Sequence, residues 1–215
     1  MKDYLISKNI SADKIFATGI PISSRFLKEY NKKEILNEFN LLENKKNILF
    51  FAGGEFGLGK SKTVEIFEDL IKNFQDIQVI AIAGRNEKMK IEFERIVQEN
   101  NKQDSVKILE FTNKVPELMA ISDLVVSKPG GLTTSESLAS NLPMVIINPI
   151  PGQEEENAEF LESHNTGIWI RKTDSPYKIF KSILDNPKKL EEMKSNTNIL
   201  AKKHSTEDIC KILSF

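Results

Sequence analysis

The chain has 215 residues, 40% hydrophobic and 28% charged, the balance of an ordinary globular protein of one large domain or one and a half. A net charge of −1 excludes a nucleic-acid groove or a strongly basic membrane face as a bulk property, and no apolar run approaches the ~18 residues of a membrane span. The single cysteine, Cys210, excludes an intrachain disulfide and fits a reducing compartment; no apolar segment follows Met1-Lys2-Asp3-Tyr4 to make a signal peptide, so a cytoplasmic setting is expected.

In chain order, residues 2–8 read as the end of a helix and residues 14–17 as a short strand. Thr18-Gly19-Ile20-Pro21 is a turn or linker, and residues 24–39 form an amphipathic helix. Residues 47–52 are a buried strand, 53–59 a glycine-rich loop and 61–73 a helix. A strand at 77–83 is followed by the turn Gly84-Arg85-Asn86 and a helix to about residue 101. Residues 106–110 are a strand, 111–114 a loop and 115–121 a short helix. Strands at 123–126, 143–147 and 167–170 alternate with helices at 132–139 and 154–163, and helices at about 175–184, 187–202 and 205–213 close the chain. Apolar runs alternating with helical segments predict an α/β fold, a Rossmann-like doubly wound parallel sheet covered on both faces. Residues 1–22 complete no unit and read as the tail of a preceding domain plus a linker; residues 23–215 read as one nucleotide-binding domain.

Gly54-Glu55-Phe56-Gly57-Leu58-Gly59-Lys60-Ser61 matches the G-x-x-x-x-G-K-[ST] pattern of a P-loop between a strand and a helix. There Lys60 would meet the β- and γ-phosphates and Ser61 would hold magnesium. Against this, Asp123 stands before its strand rather than after it, and the pattern leaves two further stretches without a role.

The first is Ser127-Lys128-Pro129-Gly130-Gly131-Leu132-Thr133-Thr134-Ser135-Glu136, directly after the apolar run Leu124-Val125-Val126. Gly130 and Gly131 let a ligand approach the backbone, the free N–H groups of a helix start favour a diphosphate, and Thr133 and Thr134 add hydroxyls. Glu136, placed on the first turn, can accept bonds from two vicinal ribose hydroxyls; Thr133-x-x-Glu136 also reads as a capping box. The second stretch is Pro151-Gly152-Gln153-Glu154, after Met144-Val145-Ile146-Ile147. It presents Gln153, Glu154 and Asn157 at a helix start, amide and carboxylate groups suited to sugar hydroxyls, while Glu154-Glu155-Glu156 would also complement the helix dipole.

Together with Thr18-Gly19-Ile20-Pro21 and Gly53-Gly54-Glu55-Phe56-Gly57, these motifs occur in an order that resembles the diacylglycerol glucosyltransferases and monogalactosyldiacylglycerol synthases. The peptidoglycan N-acetylglucosaminyltransferase that makes lipid II is a wider relative. The resemblance implies an inverting, nucleotide-sugar-dependent enzyme with two Rossmann-like halves, the glycosyltransferase B fold, of which this chain is the C-terminal, donor-binding half. It implies that Gly53, Gly54, Glu55, Phe56 and Gly57 lie against the diphosphate and that Phe111 and Thr112 meet the uracil. It places Gly130, Gly131, Leu132, Thr133 and Thr134 at the phosphate, Glu136 at the ribose, and Gln153 and Glu154 at the hexose of UDP-glucose or UDP-galactose. No metal and no cofactor beyond the donor is implied. The acceptor, such as diacylglycerol, and the general base belong to the other half, with peripheral contact at the inner face of the membrane; this chain alone is expected to be inactive. A separate sugar-nucleotide-binding subunit of a split transferase and a P-loop nucleoside triphosphatase are the alternatives. Two departures stand out: position 23 is Ser where the wider family often has an arginine, the nearest being Arg25, and Glu55 replaces the serine of the lipid II enzyme. His164 and His204 read as ordinary helix residues, not catalytic bases.

Overall fold

Six strands form one parallel sheet in the computed structural model, which describes residues 2–52 and 60–213. After helix α1 (Lys2–Ser7) and two 3-10 turns (Ala12–Lys14 and Ser24–Leu27) come α2 (Lys32–Glu38), β1 (Lys46–Phe51), α3 (Lys60–Asn73), β2 (Ile77–Ile82) and α4 (Glu87–Glu99). The chain continues through β3 (Val106–Leu109), α5 (Val115–Ile121), β4 (Leu124–Ser127), α6 (Gly131–Ala139), β5 (Met144–Ile146), α7 (Gln153–Ser163) and β6 (Gly167–Trp169). Helices α8 (Pro176–Leu184), α9 (Pro187–Leu200) and α10 (Ser205–Leu213) end it. The sheet order is β3-β2-β1-β4-β5-β6, so the chain winds outward one way from β1, returns, and winds the other way from β4. The junction of β1 and β4 is the switch point beyond whose carboxyl ends such sheets take their ligands.

Alternation along each strand sends side chains to two cores. Ile48 and Phe50 enter one with α3, α4 and α8, where the Phe67 and Phe93 rings stack at 4.0 Å and Phe50 meets both edge-on at 5.4 and 5.7 Å. Leu49 enters the other with Leu118, Leu138 and Leu161 of α5, α6 and α7. Each fully buried side chain of this kind contributes about 1.5–3 kcal/mol.

The amino edge of the sheet is locked by polar bonds. Buried Gln78 donates to Asn47 Oδ1 (3.0 Å) and Leu42 O (2.9 Å) and accepts from Leu42 N (2.7 Å). Asn47 donates to Ile121 O and, through its backbone, to Asp123 Oδ2 (2.9 Å), whose other oxygen pairs with Lys194 at 2.9 Å. Asp123 is thus held at the edge opposite the ligand-facing one.

Two expected elements differ. Residues 14–17 form no strand: Phe16 is 59% exposed and the segment joins no sheet edge. The helix expected over residues 24–39 is split between the 3-10 turn and α2. Asn31 caps α2 by accepting from Lys33 N, and Tyr30 donates back to Arg25 O at 2.8 Å, folding the chain before the helix starts.

Candidate functional site at the carboxyl edge

The loops that leave β1, β4 and β5 meet at the switch point. Gly130 is the N-cap of α6, with extended backbone and no side-chain cap bond, so Gly131 opens the helix. Thr133 is therefore its third residue and cannot head a capping box. Glu136 lies on the second turn, not the first as expected. Its carboxylate makes no ion pair or side-chain hydrogen bond among the described residues, and burial raises its pKa above the ordinary carboxylate value. Thr134 is buried and its Oγ1 has no hydrogen-bond partner among the described residues, while Leu132 turns outward.

Helix α7 begins beside α6. Gly152 reaches it with φ 97°, a backbone that only glycine adopts easily, so the turn after Pro151 depends on it. A Cβ placed on Gly131 would lie 3.6 Å from Gln153 Nε2, and one on Gly130 would lie 3.8 Å from Glu154 Oε1, so these two starts face each other. Glu154 Oε2 accepts from Ile150 N at 2.7 Å, which aims the carboxylate. Asn157 donates through Nδ2 to Pro129 O at 2.8 Å and ties α7 to the β4–α6 turn. Between these elements lies a cleft of about 350 Å³ lined by Phe51, Gly84, Lys128, Gly130, Thr133 and Glu154, among others. Glu136 does not line it.

Phe111 lies in the loop beyond β3, 70% exposed, with the Arg85 guanidinium 5.6 Å from its ring centroid. Thr112 Oγ1 accepts from Lys114 N and shapes the same loop. Gly53, Gly54, Glu55, Phe56 and Gly57, and with them most of the P-loop pattern, lie outside the described residues; its Lys60 and Ser61 begin α3. Arg25 is held by two bonds to Glu117 at 2.8 and 3.0 Å. Neither histidine lies inside a helix: His164 caps the end of α7, its Nδ1 2.8 Å from Phe160 O, and His204 precedes α10, 2.9 Å from Glu207.

Three residues escaped the sequence reading. Arg85 follows the left-handed Gly84 in the β2–α4 turn. Lys128 sits inside the motif after β4 without an assigned role. Asn148, after β5, has φ 43° and donates to Thr63 Oγ1 on α3 at 2.9 Å, joining the β5–α7 loop to the helix that follows the glycine-rich loop. An asparagine between an apolar strand and Pro149 was the available signal.

Residues 48–211 match the glycosyltransferase family 28 C-terminal domain. The chain belongs to this family. Among curated relatives of this glycosyltransferase domain, the processive diacylglycerol beta-glucosyltransferase of Staphylococcus epidermidis is 36% identical over 212 residues, covering 99% of this chain and 53% of that protein. The protein of the same description from Bacillus subtilis is 32% identical, with 97% and 53% covered. The chain thus spans about half the length of the curated relatives it matches. Solved structures similar to it include WaaG, a glycosyltransferase involved in lipopolysaccharide biosynthesis (TM-score 0.67, 19% identity, 91% of this chain and 55% of that one). MurG of Acinetobacter baumannii gives a TM-score of 0.66 at 19% identity, covering 83% of this chain and 52% of that one. HepE of Anabaena, solved in complex with UDP, gives 0.68 at 17%, covering 99% and 61%. The fold is accordingly that of one half of a glycosyltransferase B enzyme. No helix among the described residues is long and apolar enough to cross a membrane.

Proposed function

We propose that this domain binds a UDP-hexose, UDP-glucose or UDP-galactose, for transfer to a lipid acceptor such as diacylglycerol. The observation that carries the reading is the meeting of two helix starts, Gly130-Gly131 with Gln153-Glu154, over one cleft at the switch point of the sheet. The N–H groups at the start of α6 take the diphosphate, and the helix dipole offsets its charge without a metal ion. Gln153 and the aimed carboxylate of Glu154 take hexose hydroxyls, Glu136 takes the ribose, and the Phe111 ring stacks on the uracil. Transfer inverts the sugar: the acceptor hydroxyl attacks the anomeric carbon from the side opposite the leaving diphosphate. The acceptor, the general base and any peripheral contact with a membrane belong to residues outside this domain, so the chain alone binds donor and transfers nothing. The likeness to diacylglycerol glucosyltransferases supports the lipid acceptor.

A thermal-shift scan of this chain with UDP, UDP-sugars and ATP tests the reading. UDP at about a hundred times its Kd should raise Tm by about 5–11 °C without magnesium. A shift with ATP that needs magnesium, and none with UDP, would overturn it in favour of the P-loop reading.

A further inference from the structure

We propose that Lys128 supplies a cation to the donor site, its ammonium group contacting the diphosphate of the bound nucleotide sugar. The inference deepens the donor-binding reading and rests on it. Three observations place the residue. Lys128 follows β4 directly, so the sheet itself delivers it to the switch point between β1 and β4. It is partly buried and lines the 350 Å³ cleft together with Gly130, Thr133 and Glu154. It also makes no ion pair and no side-chain hydrogen bond among the described residues, even with Glu154 across the same cleft.

Other lysines also lack a partner among the described residues, but Lys128 is one that lines the cleft, and several cations elsewhere are already closed by carboxylates. Lys62 pairs with Glu65, Lys72 with Glu68, Lys90 with Glu110, Lys114 with Glu38 and Lys194 with Asp123. Arg25 is likewise closed off by Glu117. A partly buried ammonium group without a counter-charge is unfavourable alone, and it becomes favourable when an anion enters beside it. The anion that fits is set by the neighbours. Gly130 leaves the backbone open at the start of α6, and its N-cap position carries no side-chain oxygen to occupy the first N–H groups. A cation and a bare helix start on one cleft wall suit a diphosphate better than a single carboxylate.

The same contact serves the reaction. When the bond between the anomeric carbon and the β-phosphate oxygen breaks, its electron pair stays on that oxygen. The carbon bonds instead to the acceptor hydroxyl oxygen, whose proton passes to a base held with the acceptor. The negative charge gained by the diphosphate grows beside Lys128, so the interaction is stronger in the transition state than before it.

Titration of the chain with UDP and with uridine tests this, using wild type, Lys128→Met and Lys128→Arg. The Met variant should bind UDP about tenfold more weakly and uridine as wild type does, and the Arg variant should regain most of the loss. Unchanged uridine binding also reports that the fold is intact; should the Met variant fail to fold, Lys128→Gln carries the same comparison. Equal UDP affinity in wild type and the Met variant overturns the inference alone. An equal loss for UDP and uridine overturns it too, because it makes Lys128 a packing residue. A wild-type chain that binds no UDP overturns the donor-binding reading and this inference with it.

Discussion

Replacing Glu136 by Gln separates ligand binding from stability at one position. The side chain is half-buried on the second turn of α6, and its carboxylate has no partner among the described residues. Gln keeps the shape and removes the charge. If the carboxylate accepts two bonds from the vicinal hydroxyls of the ribose, loss of charge assistance weakens both, about 1.5–3 kcal/mol in all, or roughly ten- to 150-fold in affinity. The unliganded protein should respond in the opposite sense. Burial raises the Glu136 pKa, so the fold holds that proton more tightly than the unfolded chain does. Its charge therefore lowers stability at neutral pH, and this penalty is relieved as pH falls through the raised value toward the ordinary carboxylate range. Glu136→Gln should melt at the same temperature as wild type or slightly above it at pH 7, and the gap should close on acidification. Calorimetric titration with uridine, which carries no titrating phosphate, gives the binding half. Wild-type affinity should fall with pH before an ordinary carboxylate would protonate, and the variant should lack that slope. A sharp drop in Tm with uridine and UDP affinity retained would refute the reasoning and make Glu136 a structural residue of α6.

Two further substitutions address the loops after β3 and β5. Phe111→Ala removes an exposed ring and should leave Tm within about 1 °C, while UDP and uridine both lose about 1–2 kcal/mol of binding, roughly five- to thirty-fold, in parallel titrations. Asn148→Ala loses both the tolerated left-handed backbone and the bond to Thr63, about 2–3 kcal/mol of stability by denaturant melts, and Asn148→Gly should recover the backbone share of about 1–2 kcal/mol.

The sheet was legible in the sequence because its strands are buried on both faces. A run such as Ile48-Leu49-Phe50-Phe51 between polar segments has few other readings, and each of the six strands came within two residues of its observed ends. Residues 14–17 carry a similar apolar run but lack neighbours to pair with, and local composition does not report the presence of a sheet edge. The break at residues 28–31 was hidden because apolar spacing continues through it; what interrupts the helix is Asn31 capping α2 instead of joining it. Glu136 was placed on the first turn because the expected helix began at residue 132 and Thr133-x-x-Glu136 also read as a capping box, whereas Gly130 caps the helix without a side chain.

What pattern reading finds least easily is which polar groups are already taken. Asn157 and Lys128 both stand among ligand-binding residue types, one on α7 and one in the turn after β4. The structure engages the Asn157 amide nitrogen with Pro129 O and leaves Lys128 without a partner among the described residues. The difference depends on contacts between segments about 30 residues apart, and no local signal carries it. The same logic separates Arg25, closed by Glu117, from Arg85, whose guanidinium lies over the exposed Phe111 ring beyond β3. A group whose bonds are complete inside the fold fixes geometry, and a group placed by the fold without a partner is where a ligand gains most. The proposed donor site is therefore best located by the residues around the switch point that the fold positions but does not satisfy.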